Sequence, residues 1–245
     1  MAIELINTGI EGLDEVLKGG LRKKSSLLIT GAPGTGKTIM ALQFIFNGAA
    51  KYNENGIFIS TEENLDDLRN YFLGLGMNLD KYEKEGKITL VETNVARLKG
   101  GIASLGGLLG IIRKNKVKRV ALDSLLFFDY LYVKRNADPI EYRRQVLLFL
   151  QQMKNAGVTF ITTSERPVTD LDKFDHDTMD FLFEGFIVLT KIRKSTTFER
   201  CLTVAKMRGQ DHSLNIYPIS IGNGGVTIFT DQLPFSLISK DEKKE

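Results

Sequence analysis

The clearest chemistry in the sequence lies in Gly31, Ala32, Pro33, Gly34, Thr35, Gly36, Lys37 and Thr38, which satisfy the pattern G-x-x-x-x-G-K-[ST]. An apolar run precedes them and an amphipathic stretch follows, which is the setting a phosphate-binding loop requires. At average residue usage, a chance match in a chain of this length has odds of about one in a hundred. Glycines let backbone N–H groups close around phosphate oxygens, and the start of the following helix favours an anion. Lys37 would set a point charge against the β and γ phosphates, and the Thr38 hydroxyl is placed to ligate Mg²⁺. Pro33, Gly34, Thr35, Gly36, Lys37, Thr38 and Ile39 are therefore the expected phosphate cradle.

A nucleoside triphosphate site needs acids as well. Val120, Ala121, Leu122 and Asp123 end an apolar run with a carboxylate, at the strand end where open α/β sheets bind ligands. Asp123 is expected to hold the Mg²⁺ through water, with Ser124 orienting that water or the γ-phosphate; the competing reading is a helix cap. Glu62 and Glu63 follow a second apolar run. Side chains on a strand alternate faces, so at most one of the pair can aim directly at the γ-phosphate. Glu62 is the expected base for the attacking water and Glu63 its assistant, unless both merely open the next helix. Lys206 and Arg208 stand two apart near the end of a late strand and so share a face. Two fixed cations suit the charge that develops on a transferring phosphate, although an exposed, solvated strand face would look the same.

These residues need a scaffold, and the hydrophobic rhythm supplies one. Apolar runs alternate with longer amphipathic stretches, the pattern of a largely parallel sheet flanked by helices. Strands are expected at Ser26–Thr30, Gly56–Thr61, Ile88–Glu92, Val117–Asp123 and Val158–Ser164, with helices at Lys37–Tyr52, Asn64–Leu75, Ile102–Asn115 and Pro139–Ala156. Beyond Phe183 the rhythm becomes strands without helices, at Phe186–Arg193, Phe198–Arg208, Leu214–Ile221 and Val226–Phe229. Asn223 and Gly224 supply a hairpin turn, so the C-terminal half of the sheet is expected to be antiparallel. The whole reads as an α/β P-loop NTPase core in one domain, residues 1–238, with a charged tail at 239–245.

Composition bounds the partners. The 245 residues are 42% hydrophobic and 26% charged, ordinary for a folded domain. Lys plus Arg exceed Asp plus Glu by 33 to 30, so a general basic skin for nucleic acid or lipid is absent and any polyanion must be met locally. The single cysteine, Cys201, has no internal partner, no signal peptide opens the chain, and no apolar run is long enough to span a bilayer. A cytoplasmic location without membrane insertion is expected.

Taken together, the residues resemble the single-domain KaiC-like ATPases of the RecA superfamily over almost the whole chain. The resemblance is carried by Thr8–Leu21, the phosphate loop, Thr61 with Glu62 and Glu63, Leu122 with Asp123 and Ser124, Thr163–Arg166, and Lys206–His212. It implies a RecA-type core, ATP and Mg²⁺ as ligands, slow hydrolysis, and a homo-oligomeric ring, usually of six subunits, with ATP between neighbours. It also implies that Gly34–Thr38 and the glutamates come from one subunit while Lys206, Arg208 and His212 come from the next. Such proteins act as switches or assembly platforms with a protein client that the sequence does not identify. The resemblance stops short of the clock protein itself, which carries two such domains in tandem. The phosphoacceptor positions of its second domain align with Asp180 and Phe181, so autokinase activity gains no support.

RecA-type recombinases grip DNA with two loops. Here the second, Glu165–Asp180, carries Glu165, Asp170, Asp172, Asp175, Asp177 and Asp180 against Arg166 and Lys173, and repels phosphate. The first places Phe127, Phe128, Tyr130 and Tyr132 ahead of Lys134 and Arg135, a mixture able to stack bases or simply to fill core. A recombination ATPase is thus the alternative reading, with nucleic acid not favoured as partner. Two others are a nucleotide-dependent binding module with negligible hydrolysis and a small-molecule kinase, for which no lid insertion is visible.

Overall fold

The computed structural model describes residues 3–93, 105–126, 128, 138–165, 180–194 and 196–235. A short N-terminal unit comprises β1 (Leu5–Ile6), α1 (Leu13–Val16) and β2 (Leu21–Arg22). The core then runs β3 (Ser26–Gly31), α2 (Lys37–Tyr52), β4 (Gly56–Ser60), α3 (Leu65–Gly74), α4 (Leu79–Lys84), β5 (Ile88–Glu92), α5 (Leu105–Lys114), β6 (Arg119–Asp123), α6 (Pro139–Asn155) and β7 (Thr159–Glu165). A 3₁₀ turn at Asp180–Leu182 leads into β8 (Gly185–Lys194), β9 (Thr197–Met207), β10 (Ile216–Gly222) and β11 (Gly225–Ile228).

The core strands form one sheet in the order β11-β10-β9-β8-β3-β7-β6-β4-β5. From β5 to β8 neighbours are parallel, and the sheet turns antiparallel at β9. As expected, the strands from β8 onward run antiparallel to one another; β8 also pairs parallel with β3, from Leu27↔Gly185 to Gly31↔Leu189, and so joins the two halves of the sheet. The hairpin to β9 fixes only their mutual direction, and a strand buried on both faces carries no mark of which way its neighbour runs.

Alternation along β3 divides the core. Leu27 and Ile29 face the layer of α2 and α3, where Phe44, Ile45, Leu68 and Phe72 are buried. Leu28 faces the opposite layer of α5 and α6, with Ile112, Val146, Phe149 and Met153. Phe149 meets Phe160 and Phe128 edge to face at 5.3 and 5.2 Å. Phe128 is 4% exposed, so it is spent on packing rather than presented for stacking. Phe127, Tyr130, Tyr132, Lys134, Arg135, the first turn of the helix expected from Ile102, residues 166–179 of the acidic stretch and the charged tail lie outside the described residues.

The N-terminal unit buries Leu13, Val16, Leu17 and Leu21 in the core and is tied by polar contacts as well. Asp14 accepts from the Thr8 backbone N–H and hydroxyl at 2.8 and 2.7 Å. Arg119, 1% exposed, donates to the carbonyls of Asn7, Thr8 and Phe44 while pairing with Glu54 at 2.6 Å. Breaking one partner of such a buried charge is costly, which makes Arg119 the clamp between this unit and β6.

Candidate functional site

The parallel strands deliver their carboxyl ends to one edge, and the phosphate loop leaves the central strand β3 there. Gly31 abuts β8 so closely that a Cβ would lie 2.3 Å from the Leu189 carbonyl oxygen. Gly36, at φ 108°, caps α2 without any side-chain bond to the helix N-terminus, and no acid occupies the first turn. The free N–H groups and the dipole there remain available to an anion. Thr35 is fully buried and turns its hydroxyl onto the Ala32 carbonyl at 2.8 Å, so its side chain braces the loop. Lys191 Nζ and Arg200 Nε, a cross-strand pair on β8 and β9, donate to the carbonyls of Pro33 and Gly34 at 2.8 and 3.1 Å.

Beside the loop lies a cavity of about 630 Å³. Pro33, Gly34, Gly36, Lys37, Thr38 and Ile39 line it together with Glu62, Glu63, Asp123, Ser124 and Glu165. Lys37, 7% exposed, donates to the Ala32 carbonyl at 3.1 Å and stands 3.8 Å from Glu165. Burial lowers its pKa against the pull of Glu165, Asp123 and Glu62. An ammonium in a low-dielectric site interacts strongly with an arriving polyanion. In the sequence Glu165 belongs to the acidic loop and to the Thr163–Arg166 stretch of the family resemblance without a role of its own; its place at the carboxyl end of β7 brings it to the site.

Asp123 accepts from the Thr163 hydroxyl, and the Thr38 hydroxyl lies near enough to help hold its carboxyl pKa down, so the two expected Mg²⁺ ligands stand side by side. That geometry differs from a helix cap, in which the carboxylate would accept backbone N–H groups. Burial raises the Asp123 pKa, opposed by those two hydroxyls and by Lys37. The ends of β4 and β6 are stitched by Thr61, which donates its N–H and hydroxyl to the Asp123 carbonyl at 2.8 and 3.0 Å and accepts from the Ser124 N–H at 2.9 Å. Ser124 in turn donates its hydroxyl to Glu62 Oε1 at 3.0 Å. Glu63 exchanges backbone bonds with the Ser60 hydroxyl, and its carboxyl pKa is raised by burial and then by Asp123, Glu62 and Asp67. Helix α3 starts later than either glutamate: Asn64 is its cap, bonding the Asp66 N–H at 2.7 Å. Glu62 and Glu63 thus stand just before the cap, outside the helix itself.

The rest of the lining is apolar, formed by Leu68, Tyr71, Phe72 and Leu75 of α3 and its end, and by Ile221 of β10. Nothing in the spacing of these residues announces a site, because they read as an ordinary amphipathic helix face.

Lys206, Arg208 and His212 do not line this cavity. Strand β9 runs against β8, so Leu202 stands level with Gly31 while Met207 stands level with Leu27. Four residues of strand, roughly 13 Å, separate the two levels. Lys206 and Arg208 do share a face, as expected: Lys206 Nζ lies 5.8 Å from the Phe181 ring centre, and Arg208 Nη2 donates to the Phe181 carbonyl at 2.8 Å. Phe181 itself is 50% exposed. His212 lies beyond, where Gln210 bonds the carbonyls of Leu17 and Gly20 and Ser213 bonds that of Val16. His212 Nε2 is buried with no hydrogen-bond partner among the described residues.

The model of the ATPase family KaiC matches residues 6–233. The chain belongs to the KaiC ATPase family. KaiC-type relatives include the circadian clock oscillator protein KaiC of Prochlorococcus marinus, 33% identical over 94% of this chain but 46% of the relative. The chain thus spans about half the length of the clock proteins it matches. A UPF0273 protein of Methanocaldococcus jannaschii is 30% identical over 93% of this chain and 97% of its own. Among solved structures, a KaiC-like protein of Pyrococcus horikoshii superposes with a TM-score of 0.78 at 33% identity, over 93% of this chain and all of that one. The KaiC-like RecA-type core and its P-loop are thereby established for this chain, and membership in an ATPase family implies nucleotide binding. Among the described residues no helix is long and apolar enough to cross a membrane.

The burial of Asp123 has a measurable consequence in the ligand-free protein. Its folded pKa lies above the unfolded one, so the stabilising effect of its protonation is complete below the unfolded pKa and is lost as pH rises through the folded pKa. At neutral pH the carboxylate is buried at a cost, and Asp123→Asn is expected to raise the melting temperature of nucleotide-free protein by about 2–4 °C, on the order of 1 kcal/mol. The advantage should shrink as the buffer is acidified, where the parent carboxyl is itself neutral. Thermal melts of both proteins across the acid range check this, and an Asn variant less stable at neutral pH would contradict it.

Proposed function

We propose that the chain binds Mg-ATP in the cavity beside Lys37 and hydrolyses it slowly, as an oligomer whose neighbouring copies complete each other's sites. The observation that carries the proposal is the pairing of Thr38 with Asp123 and of Ser124 with Glu62 alongside Lys37, all facing one cavity. The loop N–H groups and Lys37 would bind the phosphates, with the base against the apolar wall of Tyr71, Leu75 and Ile221. Thr38 and Asp123, with phosphate oxygens and water, form the all-oxygen donor set that suits Mg²⁺, which when bound neutralises charge on the β and γ phosphates. Glu62, oriented by Ser124, would take the proton of a water whose oxygen forms the new bond to the γ-phosphorus as the bond to ADP breaks. Glu63 would support it.

Self-association is supported by the position of Lys206 and Arg208: a pair of cations beside an exposed phenylalanine, at the sheet edge away from their own phosphate loop. They are suited to act, with His212, on the nucleotide of a neighbour, which favours an oligomeric switch or assembly ATPase, with a six-membered ring as the arrangement proposed. A clock function is not carried over from relatives twice as long.

The decisive test is Lys37→Ala, which removes a buried cation for which the loop has no substitute. Mg-ATP affinity, measured by titration calorimetry, is expected to weaken roughly 100-fold or more. Parent-like affinity would refute the assignment of the cavity. Binding without any phosphate release in the parent would instead identify a nucleotide-dependent binding module.

A further inference from the structure

The β10–β11 hairpin turns at Asn223 and Gly224 and pairs Ile221 with Val226. Gln43, 3% exposed in the middle of α2, is spent entirely on it. Its Nε2 donates to the carbonyls of Gly224 and Val226 at 2.9 and 3.1 Å, and its Oε1 accepts the Val226 N–H at 2.8 Å. The same hairpin tip reaches the end of α3, where the Gly224 N–H donates to the Leu75 carbonyl at 2.8 Å. At Gly76 a Cβ would fall 2.2 Å from Asn223 Oδ1. From the hairpin, Ile221 returns to the cavity and packs so closely that a Cβ on Gly36 would be 2.9 Å from its Cδ1.

Phosphate loop, hairpin and apolar wall are thus joined, and Gln43 is a polar link between the phosphate-loop helix and the other two. We propose that Gln43 is a positioning residue for nucleoside recognition, holding Ile221 against the phosphate loop and Leu75 beside it so that a base packs on the wall they form. The proposal rests on the reading of this cavity as an ATP site. A buried amide with both donors and its acceptor engaged fixes geometry because any shift leaves several polar groups unpaired at once. The phosphate end does not depend on it, since Lys37, Thr38 and Asp123 are held by Ala32, Thr163 and each other.

The test compares Mg-ATP with inorganic tripolyphosphate, which carries the phosphates without ribose or base. In Gln43→Met, which keeps side-chain length, Mg-ATP is expected to bind about tenfold more weakly while tripolyphosphate binds within twofold of the parent. In turnover the loss should appear in KM rather than kcat. Ile221→Ala should reproduce the base-dependent loss, and combining the two should cost less than their sum, because both act through one wall. An equal loss for both ligands, or no loss for either, overturns the proposal. If the parent binds Mg-ATP no more tightly than tripolyphosphate, the apolar wall is not a nucleoside site and the underlying reading fails instead. Should Gln43→Met not fold, Gln43→Glu, which keeps the acceptor for Val226 and loses both donors, gives the same comparison.

Discussion

Glu62→Gln is expected to bind Mg-ATP with parent affinity while turnover falls about 10²–10⁴-fold, the contribution of a positioned general base. The amide oxygen can still accept the Ser124 hydroxyl that now meets Glu62 Oε1 at 3.0 Å, so shape and orientation persist and only the proton acceptor is lost. The neighbouring carboxylate offers an internal comparison. Glu63 is fixed through its backbone to Ser60, its carboxyl lacks the hydroxyl that orients Glu62, and burial beside Asp123 and Glu62 raises its pKa. Glu63→Gln should therefore cost less. Phosphate release at saturating Mg-ATP, with affinity measured separately, distinguishes the two. The reverse order would move the base to Glu63, and equal, small effects would leave neither as the base.

The legible parts of this fold are those whose signals are local. Helix α2 runs from Lys37 to Tyr52 as expected because Gly36 and Asn53, both left-handed, close its two ends. β5 likewise matches its expected span, Ile88–Glu92. The two-residue strands β1 and β2 and the single-turn α1 have no room for periodicity; they are held by the local Asp14–Thr8 contacts, by Arg119 reaching Asn7 from far along the chain, and by burial of Leu13, Leu17 and Leu21 in the core. The site divides in the same way. The phosphate loop, Asp123 and Glu62 could be placed from sequence because each follows a strand. Thr163 behind Asp123, the Lys191 and Arg200 braces, and the α3 wall could not, because each reaches the site from a strand or helix whose neighbours are set by sheet order. Lys206 and Arg208 show the limit most plainly: their spacing gave the shared face, but only the antiparallel course of β9 shows that this face lies at the edge away from their own loop.

That position leads to the second expected result with a large effect. Arg208→Ala should retain ATP binding and lose hydrolysis, because the guanidinium cannot reach the loop of its own chain across roughly 13 Å of strand but can serve a neighbour. Finger residues contribute about 10³–10⁵-fold in strongly stimulated systems, and a slow ATPase should show less. The single variant leaves one ambiguity, since Arg208 also bonds the Phe181 carbonyl, and its loss could loosen the turn before β8. Mixing removes it. An Arg208→Ala chain has an intact phosphate loop and a Lys37→Ala chain an intact finger, so a mixed assembly forms some interfaces with both working halves. Activity should reappear when the two inactive proteins are combined under conditions that allow subunit exchange, in proportion to the fraction of such interfaces. A damaged turn would not be repaired by mixing, and neither would a finger acting within its own chain. Silence despite demonstrated co-assembly would therefore refute the shared site, whereas recovery would assign Arg208 to the neighbouring nucleotide and identify the assembled form as the active one.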